Sequence, residues 1–183
     1  VAIKDLYLEG PLFYLTTDAK HKTNLQFLAD AFPAQEPAHI GDWVFSVRSI
    51  HINNGTFYYN HLPAPYGAKR AFDPLHLCIS NLQTSLSLEV LSADTAHLTL
   101  HTLSLQEKCG FKLKDLSCQA SVGSKASTIR DFALKLRKST LKFDSLQLGY
   151  DSLAQLTHKE LVKNAKVAVS LHPSNLYGAD FAP

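Results

Sequence analysis

The stretch Leu98-Thr99-Leu100-His101-Thr102-Leu103-Ser104-Leu105 alternates, slips by one residue at His101-Thr102, and then alternates again. Successive side chains of a strand point to opposite faces, so alternation marks a sheet with one apolar and one wet face. The slip has a form that recurs. With φ standing for Val, Ile, Leu, Phe, Trp or Cys, the pattern φxxφxφ occurs at Ile3-Leu6-Leu8, Val47-Ile50-Ile52 and Leu100-Leu103-Leu105. It returns at Leu113-Leu116-Cys118, Ile129-Phe132-Leu134 and Phe143-Leu146-Leu148. Chance at this composition gives about two such matches. A β-bulge explains the form, because it inserts one residue, bends the strand and raises its twist. Strands bent at similar places curl a sheet into a trough.

Plain alternation extends the pattern through Leu75, Leu77 and Ile79, then Leu86, Leu88 and Val90, and again through Val167, Val169 and Leu171. Such wet-and-greasy alternation predicts antiparallel pairing, since parallel sheets covered on both faces read as unbroken apolar runs. Gly10-Pro11 separates a first strand from a second, Leu12 to Thr17. Asn54-Gly55, between Ile50/Ile52 and Phe57/Tyr59, predicts a hairpin turn, because both residues tolerate positive φ. The prolines of Leu62-Pro63-Ala64-Pro65-Tyr66-Gly67 predict a loop. Two short helices are expected. One spans about 24–32, with Thr23-Asn24 as cap and Pro33 as stop; the other lies near 157–164, where Thr157 and Glu160 have capping-box spacing. The fold expected is mainly β: a long, curved antiparallel sheet with two short helices. It forms one β-rich unit over 1–183, with 1–42 as a strand-strand-helix start, 43–150 as strands and 151–183 as a helix and last strand.

Composition narrows the function. The 183 residues are 45% hydrophobic and 19% charged, which excludes a disordered or low-complexity chain. A formal net charge of +2 gives no reason to expect nucleic acid. Nine His residues invite a metal reading, yet no HExxH or carboxylate cluster accompanies them. His97 and His101 sit on a strand, where four residues span about 13 Å. Without a GxSxG elbow or a Gly-rich phosphate loop, no catalytic residue, metal site or cofactor is assigned, and the reading is non-enzymatic. Lys135, Arg137 and Lys138 alternate with Leu134 and Leu136 and read as the wet face of a strand. Cys78, Cys109 and Cys118 lack disulfide or CxxC spacing and are expected as small buried side chains.

What remains is the apolar face, fed by 29 Leu residues. Leaving it in water costs roughly 25 cal/mol per Å². Its cover is a second sheet, the rest of a longer chain, or an apolar ligand such as an acyl chain. The lining expected is Ile50, Ile52, Phe57, Tyr59, Leu75, Leu77, Ile79, Leu98, Leu100, Leu103, Leu105, Leu134, Leu136, Phe143, Leu146 and Leu148. The absence of Met and of signal-peptide features at Val1–Leu6 reads as a piece cut from a longer protein.

The run Val1-Ala2-Ile3-Lys4-Asp5-Leu6-Tyr7-Leu8-Glu9-Gly10-Pro11-Leu12-Phe13-Tyr14-Leu15, with Asp18 and Asn24-Leu25 after it, resembles the start of AsmA and TamB-like proteins. Ile50-His51-Ile52-Asn53-Asn54-Gly55-Thr56-Phe57-Tyr58-Tyr59 is similar to the next element of that family, and Phe72-Asp73-Pro74-Leu75 and Ile79-Ser80-Asn81-Leu82 are similar to its later strands. His21-Lys22-Thr23 stands where the family often has Gly before Asn-Leu. The resemblance implies a parent anchored in the inner membrane of a Gram-negative envelope, with its body in the periplasm. It implies a hydrophobic β-groove for phospholipid transport or outer-membrane biogenesis, with phospholipid or another acyl-chain ligand, and outer-membrane assembly proteins, as partners. Membrane contact would be made by parts of the parent outside this chain. A closed β-sandwich adhesion or interaction module is the alternative.

Overall fold

The computed structural model describes residues 2–20, 22–25, 44–67, 71–92, 95–150 and 166–181. Its ten strands are β1 (Ala2–Glu9), β2 (Leu12–Thr17), β3 (Phe45–His61), β4 (His76–Leu91), β5 (Ala96–Glu107), β6 (Lys112–Leu113), β7 (Asp115–Val122), β8 (Ala126–Lys135), β9 (Thr140–Gly149) and β10 (Lys166–Leu171). All belong to one sheet of order β1-β3-β4-β5-β7-β8-β9-β10, with β2 also on β3 and β6 also on β5. Among the described residues no second sheet packs against it, and the one helical element is a 3-10 turn at Gly178–Asp180. The helix expected near 157–164 lies outside the described residues, as does that near 24–32 beyond its first two positions.

The sheet is mixed, which corrects the antiparallel expectation. From β3 to β10 every pairing is antiparallel, but β1 and β2 run parallel to β3. They form one interrupted line. Glu9 faces Asn53 and Leu12 faces Thr56, so the register does not change across the Gly10-Pro11 break. Gly10 N–H donates to the Asn53 carbonyl and Thr56 N–H to the Pro11 carbonyl, carrying the ladder through. Pro11 has no N–H to give, and at a sheet edge none is needed.

Asn54-Gly55 is not a hairpin. β3 runs straight through it as a 17-residue strand. Asn54 does take the positive φ that the dipeptide advertises, at 52°, but as a bulge: Ile52 faces Thr84 and Gly55 faces Leu82, so β3 has one residue more than β4 there. Asn81 (φ 51°) answers on β4, where the register shifts back between Gly55 and Phe57. Both flanks of Asn54 already pair with β4 and with β1 or β2, so no strand end is available for a turn to join. Gly55 has a reason of its own. A Cβ there would stand 2.9 Å from Ile52 Cγ2 on the same strand, closer than real Cβ atoms come, so any other residue would force the Ile52 side chain to shift.

The φxxφxφ segments fall on such irregularities. Extra residues appear in β3 between Val47 and Ile50 and in β5 between Leu100 and Leu103. Others appear in β8 between Ile129 and Phe132, where Asp131 has φ 51°, and in β9 between Phe143 and Leu146, against β10. Leu113-Leu116 spans the break between β6 and β7. Ile3-Leu6-Leu8 lies in register with Val47-Ile50-Ile52, so those two strands slip together.

Candidate functional site: an apolar face across the sheet

Residues paired in register point to the same side of a sheet. Ile3, Val47, Leu88, Leu98, Ala120, Ile129, Leu146 and Val169 are successive partners, one from each of β1, β3, β4, β5, β7, β8, β9 and β10. An unbroken apolar row therefore crosses the whole sheet. A second row, Leu6–Ile50–Leu86–Leu100–Cys118, lies beside it. Leu86 and Leu88 are two apart on a strand with no bulge between them, so both rows occupy one face even though Val47 and Ile50 are three apart. The bulge keeps Ile50 on the side that strict alternation would have taken it from.

Beyond these rows come Leu8–Ile52–Thr84–Leu103, Leu105–Leu113, Leu116–Leu134–Leu141 and Phe132–Phe143–Leu171. Phe132 and Phe143 stack with centroids 4.4 Å apart and planes 4° from parallel. Toward β2, Phe13–Phe57–Ile79 and Leu15–Tyr59–Leu77 continue the same face. The partners on the opposite face are polar: Ser87, Thr99, Gln119, Arg130, Ser145 and Ser170 form the row next to the first.

Most of the expected lining residues are thus brought onto one surface, half-buried: Ile50, Ile52, Phe57, Tyr59, Leu77, Ile79, Leu98, Leu100, Leu103, Leu105, Leu134, Leu146 and Leu148. Three differ. Leu75 precedes β4 in the loop and is 43% exposed. Leu136 follows β8 in a turn closed by its N–H on the Ser139 carbonyl; it is fully buried and lines no open surface. Phe143 is buried too, under its stack with Phe132. The buried apolar side chains among the described residues are Val47, Cys109, Leu113, Leu136, Phe143 and Tyr150.

Glu107 is a group that residue type hid. Its phase, two past Leu105, puts it on the apolar side, where Ile79 is its partner. It is 3% exposed, with Oε1 accepting from Cys78 N–H at 3.2 Å and Oε2 from Cys109 N–H at 2.5 Å. Burial pushes its carboxyl pKa up, but the hydrogen bonds from Cys109 and Cys78 outweigh burial and hold it below the ordinary glutamate value. A folded pKa below the unfolded one gives stability that is present above the unfolded pKa near 4.5 and lost as pH falls through the folded one. Glu107→Gln should therefore lower the unfolding free energy from urea titration at pH 7 by about 1–3 kcal/mol for disturbed buried acceptors, and by less at pH 3. An equal loss at both pH values would show that the carboxylate charge is not what matters.

The wet face holds a cluster that alternation did not announce. The loop after β3 folds back so that Tyr66 stacks on His76, with centroids 4.1 Å apart. His76 is 2% exposed and pairs through Nδ1 with Asp73 at 3.0 Å. Asn60 Nδ2 donates to the Tyr14 hydroxyl at 2.9 Å. This cluster pins loop to sheet. At the other end, Asp180 accepts from Lys138 and Ser139 N–H, fastening the chain's last described turn over the β8–β9 connection. The three cysteines are free. Cys109 is buried, and Cys78 and Cys118 are half-buried, with burial raising the Cys118 thiol pKa.

Among the described residues no His, Cys, Asp or Glu group is arranged to hold a metal ion, and no helix is long and apolar enough to cross a membrane. Comparison with protein families, curated proteins and solved structures finds no match.

Proposed function

We propose that this chain is a non-enzymatic lipid-conduit segment that carries acyl chains on its apolar face. The observation that carries the reading is the row from Ile3 to Val169, apolar at every one of its eight positions and half-buried or exposed along most of its length. Hydrocarbon laid on such a row gains roughly 25 cal/mol for each Å² removed from water on either side. Bulges in strand after strand favour a curled surface, because each bends its strand and increases its twist. The resemblance to AsmA and TamB-like proteins supports the same picture. In that picture the segment lies in the periplasm of a Gram-negative envelope, its parent is held in the inner membrane, and phospholipid is the cargo, with outer-membrane assembly proteins as further partners.

The sandwich alternative requires two sheets with interlocked side chains, and the ten strands here lie in one. The direct test is to incubate the purified chain with a bacterial lipid extract, repurify it and analyse copurifying acyl species by mass spectrometry. Near-stoichiometric lipid is expected. Protein free of lipid after such exposure would refute the conduit.

A further inference from the structure

We propose that a hollow on the polar face, where β4, β5 and β6 meet, binds a phosphate group, free or esterified. The site does not depend on what covers the apolar face. Its frame is a bulge. Ser80 faces Gln106 and Gln83 faces Ser104, so Asn81 and Leu82 stand opposite Leu105 alone, and Asn81 takes φ 51°. Across β5, Gln106 also faces Lys112 of β6, and Lys114 follows two residues on. The cavity left there is about 280 Å³ and is lined by Asn81, Gln83, Ser104, Gln106, Lys112 and Lys114. Leu105 and Leu113 border it as well, but they are partners on the apolar side of the sheet.

All six polar side chains can donate a hydrogen bond, and none is an acid. Among the described residues, the side chains of Asn81, Gln83, Ser104, Gln106 and Lys112 have no protein partner. Lys114 donates to the Arg137 carbonyl at 3.0 Å, which leaves two of its three N–H bonds to give. The acids next to these residues in sequence are engaged elsewhere. Glu107 is buried on the Cys78 and Cys109 N–H groups, and Asp115 accepts from the Thr102 hydroxyl at 2.8 Å. Arg137 donates to the Gly110 carbonyl at 3.3 Å and so brings a further positive charge to the turn between β5 and β6. One exposed ammonium holds an anion weakly. Two of them, with carboxamide and hydroxyl donors around one hollow, suit an anion with three or more oxygens, as a phosphate has. A carboxylate, with two oxygens, would leave part of that set unused. The volume lies just under the roughly 300 Å³ at which pockets for larger organic ligands begin, so it holds a phosphate and the start of its ester.

The test is a titration of the ¹⁵N-labelled chain at constant ionic strength and about pH 7.5, where a phosphate monoester is mostly a dianion. The probes are inorganic phosphate, glycerol 3-phosphate, dihexanoyl phosphatidic acid below its critical micelle concentration, and acetate. The side-chain amide signals of Gln83 and Gln106 should move and saturate with the phosphates, at midpoints at least about tenfold below that for acetate. Lys112→Ala should raise the phosphate midpoint at least about fivefold, and Gln83→Ala at least about twofold. Lys125→Ala, in the β7–β8 turn at the far end of the strands, should leave it unchanged. Phosphatidic acid binding at least about fivefold tighter than glycerol 3-phosphate supports the site with a lipid head group as the source. Equal midpoints support it with a free phosphate as the source. Shifts that never saturate, acetate matching phosphate, or Lys112→Ala behaving as Lys125→Ala overturns the proposal. None of these results bears on lipid copurification, so the conduit reading fails or stands separately.

Discussion

Leu98→Asp should strip bound acyl chains from the protein, with at least a tenfold loss of lipid in mass spectrometry of the repurified chain and little change in far-ultraviolet circular dichroism. Leu98 sits mid-row between Leu88 and Ala120 and is half-buried, so a carboxylate there keeps access to water when no ligand is bound. With hydrocarbon over it, the same carboxylate loses solvent without gaining a partner, which is the costly arrangement. The control is two steps along the row, past Leu88. Val47 is 2% exposed, and Val47→Asp buries its charge in the empty protein too, so that variant should lose the fold itself. If Leu98→Asp keeps both fold and lipid, the row is not where the chains lie.

Leu136→Ala should cost about 2–5 kcal/mol, the range for emptying a large buried apolar site. That is a substantial share of the roughly 5–15 kcal/mol that holds a domain together. Leu136 is among the most enclosed side chains described, at 2% exposure, in the β8–β9 connection. Ser139, 1% exposed beside it, receives the Tyr177 N–H on its hydroxyl, while Asp180 accepts the Ser139 N–H. Removing the Leu136 side chain loosens the site on which the C-terminal segment is seated. Urea unfolding would read the loss as a lower midpoint, and a loss below about 1 kcal/mol would show that the turn collapses to fill the space.

Much of this architecture was legible because it is written in phase. The paired polar residues inside four of the six φxxφxφ segments match the places where registers slip, and Ile129-Arg130-Asp131-Phe132 shows why: the bulge at Asp131 absorbs the odd residue and returns Phe132 to the face of Ile129. The Gly10-Pro11 break also stands where it was read. What could not be read is pairing. Nothing local to Ile3 says that its partner is Val47, or that the two run parallel, because a parallel partner follows a long connection. Asn54-Gly55 misled for a related reason. Positive φ serves a bulge as well as a turn, and only the neighbouring strands decide which. Leu75 and Leu136 kept the right phase but lay past the strand ends. Glu107 was overlooked because its charge argued against the phase that placed it correctly.

Among the described residues β10 has a neighbour on one side only, and from Val167 to Leu171 it carries neither charge nor proline. Its free rim is a template of amides and carbonyls facing outward, with Val169 closing the row. One more strand zipped onto that rim, with a Val or Leu set opposite Val169, widens the oily carpet by about 4.8 Å and asks nothing of the residues already in place. Capacity in this architecture is thus a matter of adding ribs, much as a hull is lengthened, and the chemistry of each rib can stay the same.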